Sequence, residues 1–197
     1  MKNIGSEDIK ERHLNENIAG KNIKLVRPSF NTETAQKIIS IIDKCREVFL
    51  PWLDWVADTK SMEDSLLFLE KVDKDWQDDN QFVYEIMVDN NFIGLISVIN
   101  VSWQHKKAEI GYWLDTDYTG KGYMSQAVLL IEKELFGKGF NKIVIHTDVL
   151  NIKSAAIPKR LGYKLDGILR QDVYSKPNHR FRYRNVFSKL KSDTVLK

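Results

Sequence analysis

Two glycines flank a lysine in the segment Thr119-Gly120-Lys121-Gly122-Tyr123-Met124. The residues before it alternate like a strand, and those after it place apolar side chains at helical spacing. The first N–H groups of a helix have no internal acceptor, and glycine lets the backbone approach a bulky anion. The segment therefore predicts a seat for phosphate. A plain strand-to-helix turn is the alternative, because a lone Gly-Lys-Gly lacks the spacing of the known nucleotide-binding loops.

Residues that could act as nucleophiles or metal ligands give weaker indications. Cys45 lies in an apolar helical pattern, which favours a core thiol over a catalytic nucleophile. No set of His, Cys, Asp and Glu residues has the spacing of a metal site, so no metal is predicted. The histidines are scattered and are interpreted as surface or strand residues: His13, His105, His146 and His179.

A basic stretch lies near the C-terminal end. Arg180, Arg182 and Arg184 would share one face of a strand, with no acidic residue between Asp172 and Asp193. This pattern predicts either a solvated sheet edge or a guide for an acidic substrate or for RNA.

The composition is typical of a globular domain. The chain has 197 residues, of which 43% are hydrophobic and 29% charged, and a formal net charge of +3. This mildly basic charge fits a polyanionic cofactor or an acidic partner. No apolar run is long enough for a membrane span, and the first residues do not resemble a signal peptide. We expect a cytoplasmic protein with an arm or first hairpin over 1–20, one domain over 21–191 and a tail over 192–197.

Two helices are predicted in the first half of the chain. The first is capped by Asn31 or Thr32, and the second by Ser61 with Asp64 in a capping box. The apolar, proline-interrupted segment 49–55 between them is either a plug of the core or a mobile wall of a substrate pocket. The expected buried stripes are Ile38, Ile41, Ile42, Cys45, Val48 and Phe49, and then Leu66, Leu69, Val72 and Trp76.

The remaining pattern predicts an α+β fold, with a mixed, mostly antiparallel twisted sheet and helices on both faces. Gly94 indicates a bulge or a close backbone approach. Strands 108–114 and 142–150 are joined by a helix, so they should be parallel with a right-handed crossover. A third helix follows Gly122, a fourth covers 151–160, and strands are predicted over 21–26, 82–88, 92–99, 108–114, 142–150, 164–174 and 181–189.

Three stretches resemble the GNAT superfamily of acetyl-CoA-dependent N-acetyltransferases. They are Ala-Glu-Ile-Gly-Tyr-Trp-Leu at 108–114, the glycine loop at 119–124, and Asn-Ile-Lys-Ser at 151–154 followed by Pro-Lys-Arg-Leu-Gly-Tyr at 158–163. Residues 24–28 and 165–170 resemble the Rim-type branch, whose members acetylate N-terminal α-amines of ribosomal proteins. The resemblance covers about 21–191 and implies the GNAT fold with its central βαβ crossover.

The resemblance implies that acetyl-CoA binds where strands 108–114 and 142–150 splay apart. Main-chain groups near Trp113 and Leu114 would pair with the pantetheine arm, and the loop amides would hold the pyrophosphate, with the Lys121 charge nearby. The cofactor-binding residues that the resemblance implies are Trp113, Leu114, Thr119, Gly120, Lys121, Gly122, Tyr123, Met124 and Asn151.

The resemblance also implies direct acetyl transfer in a ternary complex. Glu109 is assigned as a hypothesis to the general base, with Asp115 as second choice, because an α-amine needs only a weak base. Ser154 would protonate the leaving thiolate, the Leu114 N–H would hold the carbonyl oxygen, and Asn151 would orient the cofactor arm or a water. The structural alternatives are a salt-bridged strand residue for Glu109, a helix-start serine for Ser154 and a bare N-cap for Asn151.

Three positions depart from the family pattern. Thr119 replaces the usual Gln or Arg, which should be tolerated because the loop binds through main-chain N–H groups. Met124 replaces Gly or Ala and adds bulk beside the helix start. Pro158 lies inside the predicted short helix, so we expect an early end or a kink there.

The leading hypothesis is acetyl transfer to a protein N-terminal α-amine. The alternatives are a small-molecule amine or polyamine acceptor, a sensor that binds acyl-CoA without turnover, and an RNA-binding protein that uses the arginine face. Acetyl-CoA and an amine are the expected partners, with no membrane and no nucleic acid; a homodimer is left open.

Overall fold

The computed structural model describes residues 13–194, and in that range one eight-stranded sheet is packed against four α-helices. The strands are β1 (Asn17–Ala19), β2 (Lys24–Val26), β3 (Phe82–Val88), β4 (Asn91–Ser102), β5 (Lys107–Leu114), β6 (Lys142–Asp148), β7 (Lys164–Ser175) and β8 (Arg180–Leu190). The helices are α1 (Thr32–Phe49), α2 (Met62–Gln77), α3 (Tyr123–Gly137) and α4 (Ile152–Arg160).

The strand order is β1-β2-β3-β4-β5-β6-β8-β7, and β5 with β6 is the parallel pair among antiparallel neighbours in the described sheet. This confirms the predicted α+β fold with its central crossover. The domain boundary expected at residue 20 falls inside the β1–β2 hairpin. The parts of the expected arm and tail at 1–12 and 195–197 lie outside the described residues.

Local sequence signals set the helix starts. The Asn31 side chain accepts a hydrogen bond from the Thr34 N–H at the start of α1. Ser61 and Asp64 form the predicted capping box at the start of α2. The apolar stripes lie in the core, with one correction: Val48 is 53% exposed, because the last turn of α1 turns this side chain away from the sheet.

Strands β5 and β6 separate soon after they begin to pair. Three residue pairs join them, and Glu109 with Val144 is the last. Beyond that point β5 follows β4 as far as Leu114, whereas β6 follows β8 as far as Asp148. A wedge, called here the β5–β6 gap, therefore opens toward the carboxyl ends of both strands.

The side chains of β5 alternate between two helix-covered faces of the sheet. The Tyr112 hydroxyl donates to the Ser154 carbonyl oxygen in α4, at 3.1 Å. The next side chain, Trp113, packs against Phe49 at the end of α1, with 5.6 Å between ring centroids. We call these the α4 face and the α1 face, and the gap connects them.

Gly94 fixes how closely β4 approaches the end of β5. Its φ is +156°, and a Cβ placed there would lie 2.4 Å from the Trp113 carbonyl oxygen and 2.9 Å from the Leu114 Cα. The neighbouring register shift near Ile86 and Met87 is the predicted bulge. No side chain fits without pushing the β5 backbone away from β4.

Gly94→Ala should therefore lower the free energy of unfolding by roughly 1–3 kcal/mol, the range for a strained backbone position. Urea denaturation measures this change. Gly137→Ala is the matched control, because nothing lies within 4 Å of a Cβ there and Gly137 ends a helix; it should be neutral or slightly stabilising. Equal stability of the two variants would contradict the close approach.

Candidate functional site

The glycine loop leaves its amides without internal partners. Gly120 and Gly122 have φ of +76° and +81°, and Gly122 caps α3 without a side chain. The first bond into the helix runs from the Gln126 N–H to the Gly122 carbonyl, at 3.1 Å. The N–H groups of residues 120–125 donate to no group within the described residues 13–194. These amides at the positive end of the helix dipole can bind an anion.

The predicted loop residues differ in what they can contribute. The Thr119 N–H already donates to the Thr116 carbonyl, at 3.2 Å, so the set of open amides begins at Gly120. Lys121 is exposed, with its Nζ 5.1 Å from the Tyr118 ring centroid. Met124 is 7% exposed and its side chain packs in the core, so its bulk leaves the helix start clear.

The edge of β5 presents main-chain groups to the gap. The Asp115 N–H donates to the Ile93 carbonyl of β4, at 2.8 Å. In an antiparallel ladder this makes the preceding residue, Leu114, part of a non-hydrogen-bonded pair, so its N–H and C=O point away from β4. They point into the gap, where β6 no longer pairs. The buried Asp115 carboxylate is held by Lys44 and by the Asp117 N–H, which fixes it in a structural role.

Ser154 and Asn151 meet at the start of α4. The Asn151 side-chain oxygen accepts from the Ser154 N–H, at 3.0 Å, so this asparagine is an N-cap. The Ser154 Oγ lies 3.4 Å from the Tyr112 hydroxyl. Burial raises the pKa of Tyr112 to about 12, which keeps this hydroxyl protonated at neutral pH.

Pro158, inside α4, explains why the Tyr112 hydroxyl of β5 donates to the Ser154 carbonyl. Residue 158 would normally donate its N–H to the Ser154 carbonyl, four residues earlier, but proline has no N–H. The Tyr112 hydroxyl donates to this carbonyl instead. The helix continues to Arg160, so the expected early end does not occur.

Glu109 lies on the α1 face, where the gap begins. Its Oε2 accepts from the Asn100 side-chain amide, at 2.8 Å, and its Oε1 lies 2.8 Å from His146 Nδ1. Burial raises the pKa of Glu109, but its contacts with His146 and Asn100 and the charge of Arg184 outweigh that effect and leave it below the ordinary value. His146 lies in β6, as its interpretation as a surface or strand residue allows, but its contact with Glu109 was not predicted.

Arg182 ties the aromatic segment 49–55 to the sheet. Its guanidinium donates to the Trp52 carbonyl at 2.8 Å and to Asp54 at 2.7 Å. The Arg182 side chain is 9% exposed, and β8 lies between β6 and β7. The expectation of a solvated arginine edge is thus wrong for Arg182, because the side chain is buried and its charge is paired with the half-buried Asp54.

Six buried side-chain polar atoms lack hydrogen-bond partners in the part of the chain that the structure describes, and two of them belong to residues at the open end of the gap. They are Asp148 Oδ2 and Arg182 Nε, 4.0 Å apart. Asp148 ends β6, and its other oxygen, Oδ1, accepts a hydrogen bond from the Leu150 N–H, at 2.8 Å. A buried acceptor and a buried donor of this kind require a polar partner, such as an ordered water or a ligand group.

A sequence profile described as an Acetyltransferase (GNAT) domain matches residues 30–164. The chain belongs to the GNAT acetyltransferase family. The Putative ribosomal N-acetyltransferase YdaF of Bacillus subtilis (strain 168) is 29% identical over 171 residues, which are 84% of this chain and 88% of that protein. The Ribosomal-protein-serine acetyltransferase of Escherichia coli (strain K12) is 33% identical over 102 residues, 49% of this chain and 57% of that protein.

The fold of this GNAT protein matches solved acetyltransferases. The Microcin C7 self immunity acetyltransferase MccE, solved with acetyl-CoA and AMP, superposes with a TM-score of 0.82 at 27% identity, over 87% of this chain and 93% of that chain. Family membership confirms the predicted enzyme class, an acyltransferase, and the predicted cofactor, acetyl-CoA. The open amides of 120–125 and the β5–β6 gap fit that cofactor. The roles of individual residues remain predictions.

The described residues were compared with the requirements of a membrane span and of a metal site. No helix within 13–194 has the length and apolar character of a membrane span. In the same range, His, Cys, Asp and Glu residues do not gather into a group of three or more that could hold a metal ion.

Sequence reasoning did not find the contacts of Tyr112, His146, Asp148 and Arg182. One signal was available: His146 and Asp148 are two apart in a strand and so share a face. Alternation gives the face of a residue but not the residue opposite it, which here comes from another strand.

The Tyr112–Pro158 relationship can be tested by a double-mutant cycle. Tyr112→Phe removes the donor to the Ser154 carbonyl and should lower the free energy of unfolding by about 1 kcal/mol or more. Pro158→Ala supplies a backbone N–H to the same carbonyl, so the effect of Tyr112→Phe should shrink by about half or more in that background. Urea denaturation of the four proteins measures the coupling, and additive effects would contradict it.

Proposed function

We propose that this protein transfers the acetyl group of acetyl-CoA to the N-terminal α-amine of a protein, of the ribosomal-protein type, in the cytoplasm. The observation that carries this proposal is the β5–β6 gap, which joins the open amides on one side to a polar, aromatic surface on the α1 face. The two curated relatives carry ribosomal acetyltransferase names, which supports this acceptor class.

The cofactor would be held by main-chain groups. The amides of 120–125 would bind its pyrophosphate, with Lys121 adding positive charge, and the Leu114 C=O would accept a hydrogen bond from its pantetheine arm. Gly120, Gly122, Tyr123 and Met124 contribute their backbones, and Thr119 and Trp113 shape the approach. When bound, acetyl-CoA supplies a thioester whose carbonyl carbon an amine can attack.

The chain's own residues would handle charge and protons. The Leu114 N–H, which points into the gap, would hold the acyl oxygen as negative charge develops on it. Ser154 lies on the α4 face, with its Oγ 3.4 Å from the Tyr112 hydroxyl, and would give its hydroxyl proton to the leaving sulfur. Asn151 holds the start of α4, and with it Ser154, by its cap. Glu109, on the opposite face, would supply the negative charge that favours removal of a proton from the acceptor ammonium.

The α1 face suits the end of a peptide chain. Asp148 Oδ2 can accept an N–H and Arg182 Nε can donate to a carbonyl, which together match a peptide group. Trp55 is 40% exposed and packs 6.4 Å from Trp113, measured between ring centroids, so apolar surface lies beside these polar atoms. A bare polyamine offers no carbonyl to Arg182.

The chemistry also favours an α-amine over a lysine side chain. An α-amine has an ordinary pKa of about 7.7–8.0 and a lysine about 10.4, so deprotonating the lysine at pH 7 requires roughly 3.5 kcal/mol more. A weak base is sufficient for the α-amine.

The phosphate seat has a matched control within the chain. Gly122→Ala strains a loop residue beside the open amides, and Gly139→Ala strains a residue of nearly equal φ, +85°, in the turn before β6. Both should lose roughly 1–3 kcal/mol of stability. Calorimetry with coenzyme A should show affinity falling about 10-fold or more for Gly122→Ala and staying unchanged for Gly139→Ala. Equal affinities would place the phosphate elsewhere.

The acceptor is tested with acetyl-CoA and a panel of peptides with free N-termini, the same peptides with blocked N-termini and internal lysine, and polyamines. Thiol release and mass spectrometry should show acetylation at the free α-amine. Ser154→Ala should lower turnover by about 10-fold or more with little change in coenzyme A affinity.

Each other outcome identifies a competing function. Acetylation of polyamines alone would replace the peptide acceptor with a small amine. Coenzyme A binding without thiol release against any amine would indicate a sensor. Salt-sensitive RNA binding that ignores coenzyme A would favour the arginine surface, although Arg182 and Arg184 are already paired with Asp54 and Asp172.

A further inference from the structure

Each oxygen of the Glu109 carboxylate has a close polar neighbour. Asn100 donates to Oε2 at 2.8 Å, and Oε1 lies 2.8 Å from His146 Nδ1. The side chain is 12% exposed, and its pKa lies below the ordinary value because the two contacts and the Arg184 charge outweigh burial. A carboxylate of this kind stays ionised at neutral pH and is a poor acceptor of a proton from an ammonium group.

The contact with Glu109 determines where the imidazole of His146 carries its proton. A carboxylate oxygen 2.8 Å from a ring nitrogen that held a lone pair would be repelled, so Nδ1 must carry the hydrogen, although the present angle is not that of a straight hydrogen bond. Nδ1 is fully buried. In the neutral ring the lone pair is then on Nε2. Nε2 has no hydrogen-bond partner within residues 13–194 and is not among their fully buried unpaired atoms.

His146 also lies where an acceptor must arrive. It follows the last β5–β6 pair by two residues along β6 and shares the face of Glu109, Val144 and Asp148. Its side chain is 18% exposed. Gly111, between Glu109 and Trp113 on the same face of β5, has no side chain, and a Cβ there would lie 3.9 Å from Ile99 Cδ1. Ser154 lies on the opposite face of the sheet, so the basic and acidic groups flank the gap from two sides.

We propose that His146 is the general base of the acetyl transfer and that Glu109 is its positioning residue. The N–H bond of the acceptor ammonium breaks, its proton forms a bond with Nε2, directly or through one water, and the electron pair stays on the amine nitrogen. The resulting imidazolium is neutralised by Glu109. Attack of this amine on the thioester forms an amide and a thiol, whose proton Ser154 supplies; Ser154 regains a proton as the new amide nitrogen loses its second one. This inference rests on the proposed function.

Charged groups on the neighbouring strands complete the environment of this pair. Asp148 follows on β6, Arg184 faces Glu109 from β8 and is itself paired with Asp172 of β7, and Arg182 is held by Asp54. The arginine charges each have a carboxylate partner. Glu109 is therefore the carboxylate in direct contact with the imidazole among the described residues.

The first test needs no acceptor. Long-range ¹H–¹⁵N spectra of the ligand-free protein at pH 8 report which ring nitrogen carries the proton. We expect His146 in the Nδ1–H form, and a shift toward the Nε2–H form in Glu109→Ala. An Nε2–H ring in the wild type would overturn the proposal, because Nε2 would have no lone pair.

The second test measures kcat/KM against pH. His146→Gln, which can still donate to Glu109, should lose about 100-fold and should also lose the fall in rate toward acid pH. Glu109→Gln should lose less, about 10-fold, and the double variant should match His146→Gln. His105→Gln, an exposed histidine in the β4–β5 turn, is the control and should keep the wild-type rate.

The opposite ranking would overturn the proposal: Glu109→Gln far slower than His146→Gln, with the latter within a few-fold of wild type, would make Glu109 the direct base. If the wild type acetylates another amine instead of a peptide N-terminus, the proposed acceptor is wrong, and the same variants are ranked on that amine. The tautomer measurement decides the role of His146 in either case.

Discussion

The separation of β5 from β6 is the constraint on which the site depends. Each strand is held by a different neighbour: β5 stays with β4 to Leu114, and β6 stays with β8 to Asp148. Three residue pairs are then all that joins them. The twist of the sheet separates the ends of strands that are not paired. Gly94 reinforces this, because its missing Cβ allows β4 to hold the end of β5 closely. The open main-chain groups of the gap follow from competition between ladders, and they need a polar ligand.

The alternation of side chains along β5 distributes the chemistry across the sheet. Odd-numbered residues, such as Glu109 and Trp113, face α1, and Tyr112 between them faces α4. A group lying in the gap therefore meets a proton acceptor on one face and a proton donor on the other without any loop having to bring them together. The separation also keeps the Ser154 hydroxyl away from the Glu109–His146 pair, so a proton cannot pass directly from one to the other.

The sequence predicted what depends on near neighbours in the chain. The capping box of Ser61 and Asp64, the buried stripe of α3 and the parallel crossover each rest on spacings within one or two elements. The expectation about Arg182 was wrong because a partner distant in sequence decides its burial. Arg182 is buried because Asp54, 128 residues earlier, reaches it. No periodicity contains that information. The place of the gap came from resemblance to a family, since spacing alone would have continued the β5–β6 ladder.

Pro158 shows why a violated local rule is informative about a site. A proline inside a helix removes one backbone hydrogen bond and is unfavourable by about 3 kcal/mol in a regular interior. In α4 the carbonyl oxygen left without a donor belongs to Ser154. The Tyr112 hydroxyl of β5 donates to it, and Tyr112 follows the buried Ile110 by two residues. The hydrogen bond that α4 lacks within itself is thus made to the edge of the gap. This exchange ties the orientation of the helix, and with it the Ser154 hydroxyl, to the strand that forms one wall of the gap. An alanine at 158 would make α4 more regular but would free it from β5.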